Sequence, residues 1–62
     1  MNKEKAKRHL KSAYESLNFW REQYVYVYRN NEGINRLHML NEVVYEINER
    51  KERISRLQRI VY

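Results

Sequence analysis

Two seven-residue repeats of apolar side chains run along this chain, and they are out of step with each other. The first is Ala6, Leu10, Ala13, Leu17, Trp20, Tyr24 and Val27, in alternating steps of four and three residues. On a helix that spacing lines the side chains along one seam, with Leu10, Leu17 and Tyr24 at the a positions and the others at d. The second repeat is Leu40, Ile47, Ile54 and Val61, with Val43 and Leu57 filling two of the three places between them. Continuing the first seam past Ile34 lands on His38, Asn41, Tyr45, Asn48, Glu52 and Ser55. A single unbroken helix would therefore lose its apolar face halfway along.

The change of phase falls at Asn30-Asn31-Glu32-Gly33, which holds the only glycine of a chain without proline. Gly33 or Asn31 can adopt the left-handed conformation that ends a helix, and Asn35 can cap the next one. A connection of a few residues makes consecutive helices antiparallel neighbours. The expected fold is all-α, an antiparallel two-helix hairpin over about residues 2–30 and 35–61 within a single domain, 1–62. Residues 24–28, Tyr-Val-Tyr-Val-Tyr, are rich in β-formers and compete as a strand. The heptad steps run through them unbroken, which favours helix.

Pairing about residue 32 sets Leu17 near Ile47, Tyr24 near Leu40 and Leu10 near Ile54. Ala13 then faces Arg50 and Lys51, where the second seam is interrupted. A small residue opposite a long stem lets the methylenes pack while the charge reaches water. Tyr14 and Glu15 are the expected neighbours of those charges.

A chain of 62 residues is short of core, since a domain of that size buries only about 60% of its unfolded surface. Small domains add disulfides, a metal or a second subunit. Cysteine is absent, so no disulfide is available. The second helix also carries Leu37, Met39, Val43, Val44 and Ile60, a wider stripe than one partner helix covers. The expectation is a homodimer, two hairpins forming a four-helix bundle.

The chemistry of catalysis is sparse. Ser12, Ser16 and Ser55 have no histidine and carboxylate at motif spacing, and no phosphate-binding loop occurs. His38 and Glu42 lie four apart with Glu46 next in the row, which reads as a solvated helix pair rather than a metal site. His9 belongs with its basic neighbours. No catalytic residue, metal or cofactor is expected, and the chain is read as a non-enzyme. No apolar run approaches the length of a membrane span, and the basic start lacks the apolar stretch of a secretory signal. A cytoplasmic protein without membrane insertion is the expectation.

Binding remains, and the sequence offers two surfaces. Lys3, Lys5, Lys7, Arg8 and Lys11 meet Arg50, Lys51, Arg53, Arg56 and Arg59 at the open end of the hairpin, ten cations against the three carboxylates of Glu4, Glu49 and Glu52. That end therefore carries +7, while the rest of the chain, with Arg21, Arg29 and Arg36 against Glu15, Glu22, Glu32, Glu42 and Glu46, carries −2, for a net charge of +5. Such an end suits a nucleic-acid backbone or an acidic protein surface. The turn end collects Phe19, Trp20, Tyr26, Tyr28 and Tyr45, residue types common at binding hot spots. Phe19 and Tyr26, seven apart and off the seam, form either a partner surface or part of an oligomer core. The leading expectation is a small regulatory or inhibitory protein that docks on another protein. The alternative is a basic helical dimer that binds RNA or DNA.

Overall fold

The computed structural model describes residues 2–62. Two helices, α1 (Lys3–Asn30) and α2 (Gly33–Val61), pack along their whole length as an antiparallel hairpin of 46 × 14 × 13 Å. Residues 24–28 are helical, so the strand alternative is excluded. The helix bounds match the expected ones within two residues. The second helix starts at Gly33, ahead of the expected Asn35 cap, with Glu32 at the cap position and no side-chain bond there.

Local chemistry explains each end. Asn2 caps α1, its Oδ1 accepting from the Lys5 N–H at 2.9 Å. At the other end, Asn31 donates to the Val27 carbonyl from its backbone and from its side chain, and the Asn30 side chain donates to the Tyr26 carbonyl. The asparagines thus satisfy carbonyls that a helix end leaves without partners. Asn31 is extended, and Gly33 alone takes the left-handed conformation, with φ at +64°. No atom lies within 4 Å of where a Gly33 Cβ would sit, so the glycine serves backbone conformation and not close packing. Arg36 closes the turn by donating from Nε to the Asn31 carbonyl at 2.8 Å.

Both seams face inward. Ala6, Leu10, Ala13, Leu17 and Val27 are buried on α1, and Val43, Ile54 and Leu57 on α2. The continuous core is Leu10, Ala13, Leu17, Ile54 and Leu57 with Ile47 against it, and it occupies the open half of the hairpin. Ala6 and Ala13 are wholly buried, which is how α2 comes close enough there for Ile54 and Leu57 to be covered. Toward the turn the packing is looser. Trp20 and Leu40 are half-buried, and Tyr24 is exposed despite its seam position.

Arg50 occupies the seam place between Ile47 and Ile54 and is half-buried. Its neighbours differ from those expected. Nε donates to Ser16 Oγ at 3.1 Å, the guanidinium pairs with Glu46, and it lies 5.4 Å from the centre of the Trp20 ring. Tyr14 sits on the opposite flank, where its Oη accepts from Gln58 Nε2 at 2.7 Å. The Trp20 ring and the Glu46 carboxylate lie on the same side of Arg50 and draw its charge that way.

Candidate binding surfaces

Seam-to-seam packing gives the hairpin two broad faces. One residue along a helix turns a side chain by about 100°. Positions just before each seam therefore flank it on one side, and positions just after it on the other. In an antiparallel pair, equal flanks of the two helices come together.

The first face carries Ser16, Phe19, Gln23 and Tyr26 on α1, with Met39, Glu42, Glu46, Glu49, Arg53, Arg56 and Ile60 on α2. The Arg50–Ser16 bond ties the two rows. Toward the turn they border a groove of ≈ 550 Å³ lined by Trp20, Gln23 and Val27 from α1 and Met39, Val43 and Glu46 from α2. Glu42, Asn41 and Tyr45 extend its α2 wall. A smaller cleft of ≈ 230 Å³ follows on α2, between Glu49, Arg50, Arg53 and Arg56.

The second face carries Lys7, Lys11, Tyr14, Arg21, Val25 and Tyr28 on α1, with Leu37, Val44, Lys51 and Gln58 on α2. The Tyr14–Gln58 bond spans it, and Arg36 stacks on Tyr28 at 4.7 Å. Every position of this face from residue 7 to 28 and from 37 to 58 lacks a carboxylate.

The five aromatic residues singled out in the sequence are divided between these surfaces. Phe19, 52% exposed, makes an edge-to-face contact with Trp20 at 5.4 Å on the first face, and Tyr26, 62% exposed, lies one heptad on from Phe19. Tyr28 is on the second face. Tyr45 is exposed on the outer side of α2, at the rim of the groove. The aromatic end is not one patch. Of the thirteen large apolar side chains exposed among the described residues, ten lie from Phe19 to Tyr45, so the unburied apolar surface does concentrate in the turn half. Leu37, 62% exposed, is the most exposed residue of the wide apolar stripe on α2 and shares the carboxylate-free face with Val44.

The basic residues do converge. Lys3, Lys5, Lys7, Arg8 and Lys11 at the start of α1 and Arg53, Arg56 and Arg59 near the end of α2 are all exposed at the open end. Arg50 alone is committed to packing. Among the described residues no group of three histidines or acids could hold a metal, no polar group is buried, and no helix is long and apolar enough to cross a membrane. The chain matches no family model, no curated protein and no solved structure.

Proposed function

We propose that this chain is a small non-enzymatic regulatory or inhibitory protein that docks on another protein bearing an acidic surface. The observation behind this reading is the second face. Val25, Tyr28, Leu37 and Val44 are all exposed on this face in the turn half. Lys7, Lys11, Arg21 and Lys51 continue the face toward the open end with no carboxylate among them. Apolar anchors supply the energy of an interface, and one-signed charge supplies steering and partner choice. A partner with an apolar cleft rimmed by carboxylates fits both features.

The test is capture by the immobilised chain from nuclease-treated extract of its source cells. Wild type should retain a discrete protein. Tyr28→Ala with Leu37→Ala, and separately Arg21→Glu with Lys51→Glu, should lose it while circular dichroism stays helical. Retention by both variants would discard this face as the docking surface.

A second reading rests on the open end, where the hairpin gathers nine exposed basic side chains from both helices, Lys51 among them. This end suits a phosphate backbone, and binding would weaken steeply and linearly on a log–log salt plot. Failure to bind duplex DNA or RNA at low salt removes it.

A further inference from the structure

The first face of the hairpin is complementary to itself. On α2 its positions run Met39, Glu42, Glu46, Glu49, Arg53, Arg56, Ile60, in alternating steps of three and four. That is a second heptad stripe, turned about 100° from the seam. Laid antiparallel on a copy about Glu49, it sets Met39 against Ile60, Glu42 against Arg56 and Glu46 against Arg53. Each match occurs twice by symmetry. Acid meets base at four crossings, and apolar meets apolar at both ends. Only Glu49 meets its own kind, in the cleft where Arg50 and Arg53 flank it.

The same rotation acts on α1. There the stripe runs from Lys5 to Tyr26 with Ser16 at its middle. Ser16 meets Ser16, Ser12 meets Phe19, and Lys5 meets Tyr26. A small residue stands at the axis, a small one faces a large one, and a cation faces a ring. The two centres, Ser16 and Glu49, are at one height along the hairpin, because Ser16 is bonded to Arg50 at 3.1 Å. One two-fold axis therefore satisfies both helices. It also brings Ile60 of the copy to Met39, which lines the apolar groove with Trp20, Val27 and Val43.

We infer that the first face is a homodimer interface, in which two hairpins pack antiparallel about a two-fold axis through Ser16 and Glu49 into a four-helix bundle. Each helix of such a bundle contacts two neighbours roughly a quarter-turn apart, which is the angle between seam and stripe. The axis carries the two turns, and the two basic ends, away from each other. It leaves the second face open on both outer sides, so this inference does not depend on the docking proposed above.

Sedimentation equilibrium tests it. Wild type should sediment as a dimer at tens of micromolar. Glu42→Arg turns two matches per dimer repulsive, and so does Arg56→Glu. Each variant alone should raise the dissociation constant about tenfold. An equimolar mixture of the two should restore wild-type association, because the mixed dimer regains opposite charges at both crossings. A second measurement covers the case of misfolding. Ser16→Cys, in a chain without other cysteines, should oxidise to a disulfide-linked dimer, whereas Ser55→Cys on the far flank should not. A monomeric wild type overturns the inference. So does a dimer that the mixture fails to rescue, or one that Ser55→Cys links as readily as Ser16→Cys.

Discussion

Arg50 fills a seam position with a charge, and replacing it separates the two things it contributes. Its stem packs between Ile47 and Ile54, while its guanidinium bonds Ser16, pairs with Glu46 and covers Trp20. Arg50→Ala removes all of this. The hydrogen bond contributes about 1 kcal/mol, the contact with Trp20 about 0.5–1 kcal/mol, and the stem methylenes a similar amount through lost packing. The pair with Glu46 adds a few tenths, since both side chains are still about 30% exposed. The loss is about 2–3 kcal/mol, and in a domain this small each kcal/mol moves Tm by roughly 4–8 °C. Arg50→Leu has the opposite logic. It restores the heptad, returns apolar contact to Ala13 and Trp20, and releases a half-buried charge to no loss of burial. Exchange of a partly desolvated ion pair for a well-packed apolar side chain is commonly neutral or stabilising. Thermal melts followed by circular dichroism at one fixed concentration should place Arg50→Leu within a few degrees of wild type and Arg50→Ala at least 8 °C below it, as roughly 2 kcal/mol requires. A leucine variant as unstable as the alanine one would mean that the polar contacts, not the packing, hold α2 at this point. An alanine variant equal to wild type would refute both.

Three further outcomes follow from the same geometry. Gly33→Ala should cost about 1 kcal/mol through its left-handed backbone alone, seen as a lower urea midpoint with unchanged slope. Leu17→Ala, at the centre of the continuous core, should cost about 2–4 kcal/mol and leave the chain largely unfolded at 37 °C by circular dichroism. Asn2→Ala removes the α1 cap and should cost about 1 kcal/mol, read as faster amide exchange in the first turn of α1.

The hairpin was legible because a helix converts a seven-residue period directly into a stripe. Two stripes in different phase leave a turn as the sole remedy, and Gly33 marks it. The period names every buried residue of α1, Ala6, Leu10, Ala13, Leu17 and Val27, but it also names Trp20, which is half-buried, and Tyr24, which is exposed. Less was legible where a side chain chooses between flanks. Arg50 can swing toward Tyr14 or toward Ser16, and spacing does not say which. The choice depends on where the Trp20 ring lies, a fact of packing between helices. The aromatic end is a similar case. Phe19, Tyr26, Tyr28 and Tyr45 are near in sequence, yet one-residue offsets from the seam send them to different faces. The symmetric match of Glu42, Glu46, Arg53 and Arg56 is written in the sequence, but it acquires meaning only when Ser16 is fixed level with Arg50.

The core and the charge coincide at the open end, and this has a thermodynamic consequence. Ala6 and Ala13 let the helices close there, and the closure sets Lys3 to Lys11 beside Arg50 to Arg59. Helix axes in contact are about 8–10 Å apart. Two exposed charges at about 10 Å repel by roughly 0.4 kcal/mol in water before screening. Several such pairs across the two helices oppose folding by about 1–2 kcal/mol at low ionic strength, with few carboxylates nearby to offset them. Salt shortens the Debye length from about 30 Å at 0.01 M to about 3 Å at 1 M, which removes most of that repulsion. Exposed ion pairs elsewhere lose little, because they contribute little. Melting at concentrations low enough to keep the chain monomeric should therefore show Tm rising with sodium chloride by several degrees. Lys7→Glu with Lys11→Glu should raise Tm in low salt and abolish most of the salt response. A Tm that is flat or falls with salt would mean that the charges gathered at the open end do not oppose the burial of Leu10, Ile54 and Leu57.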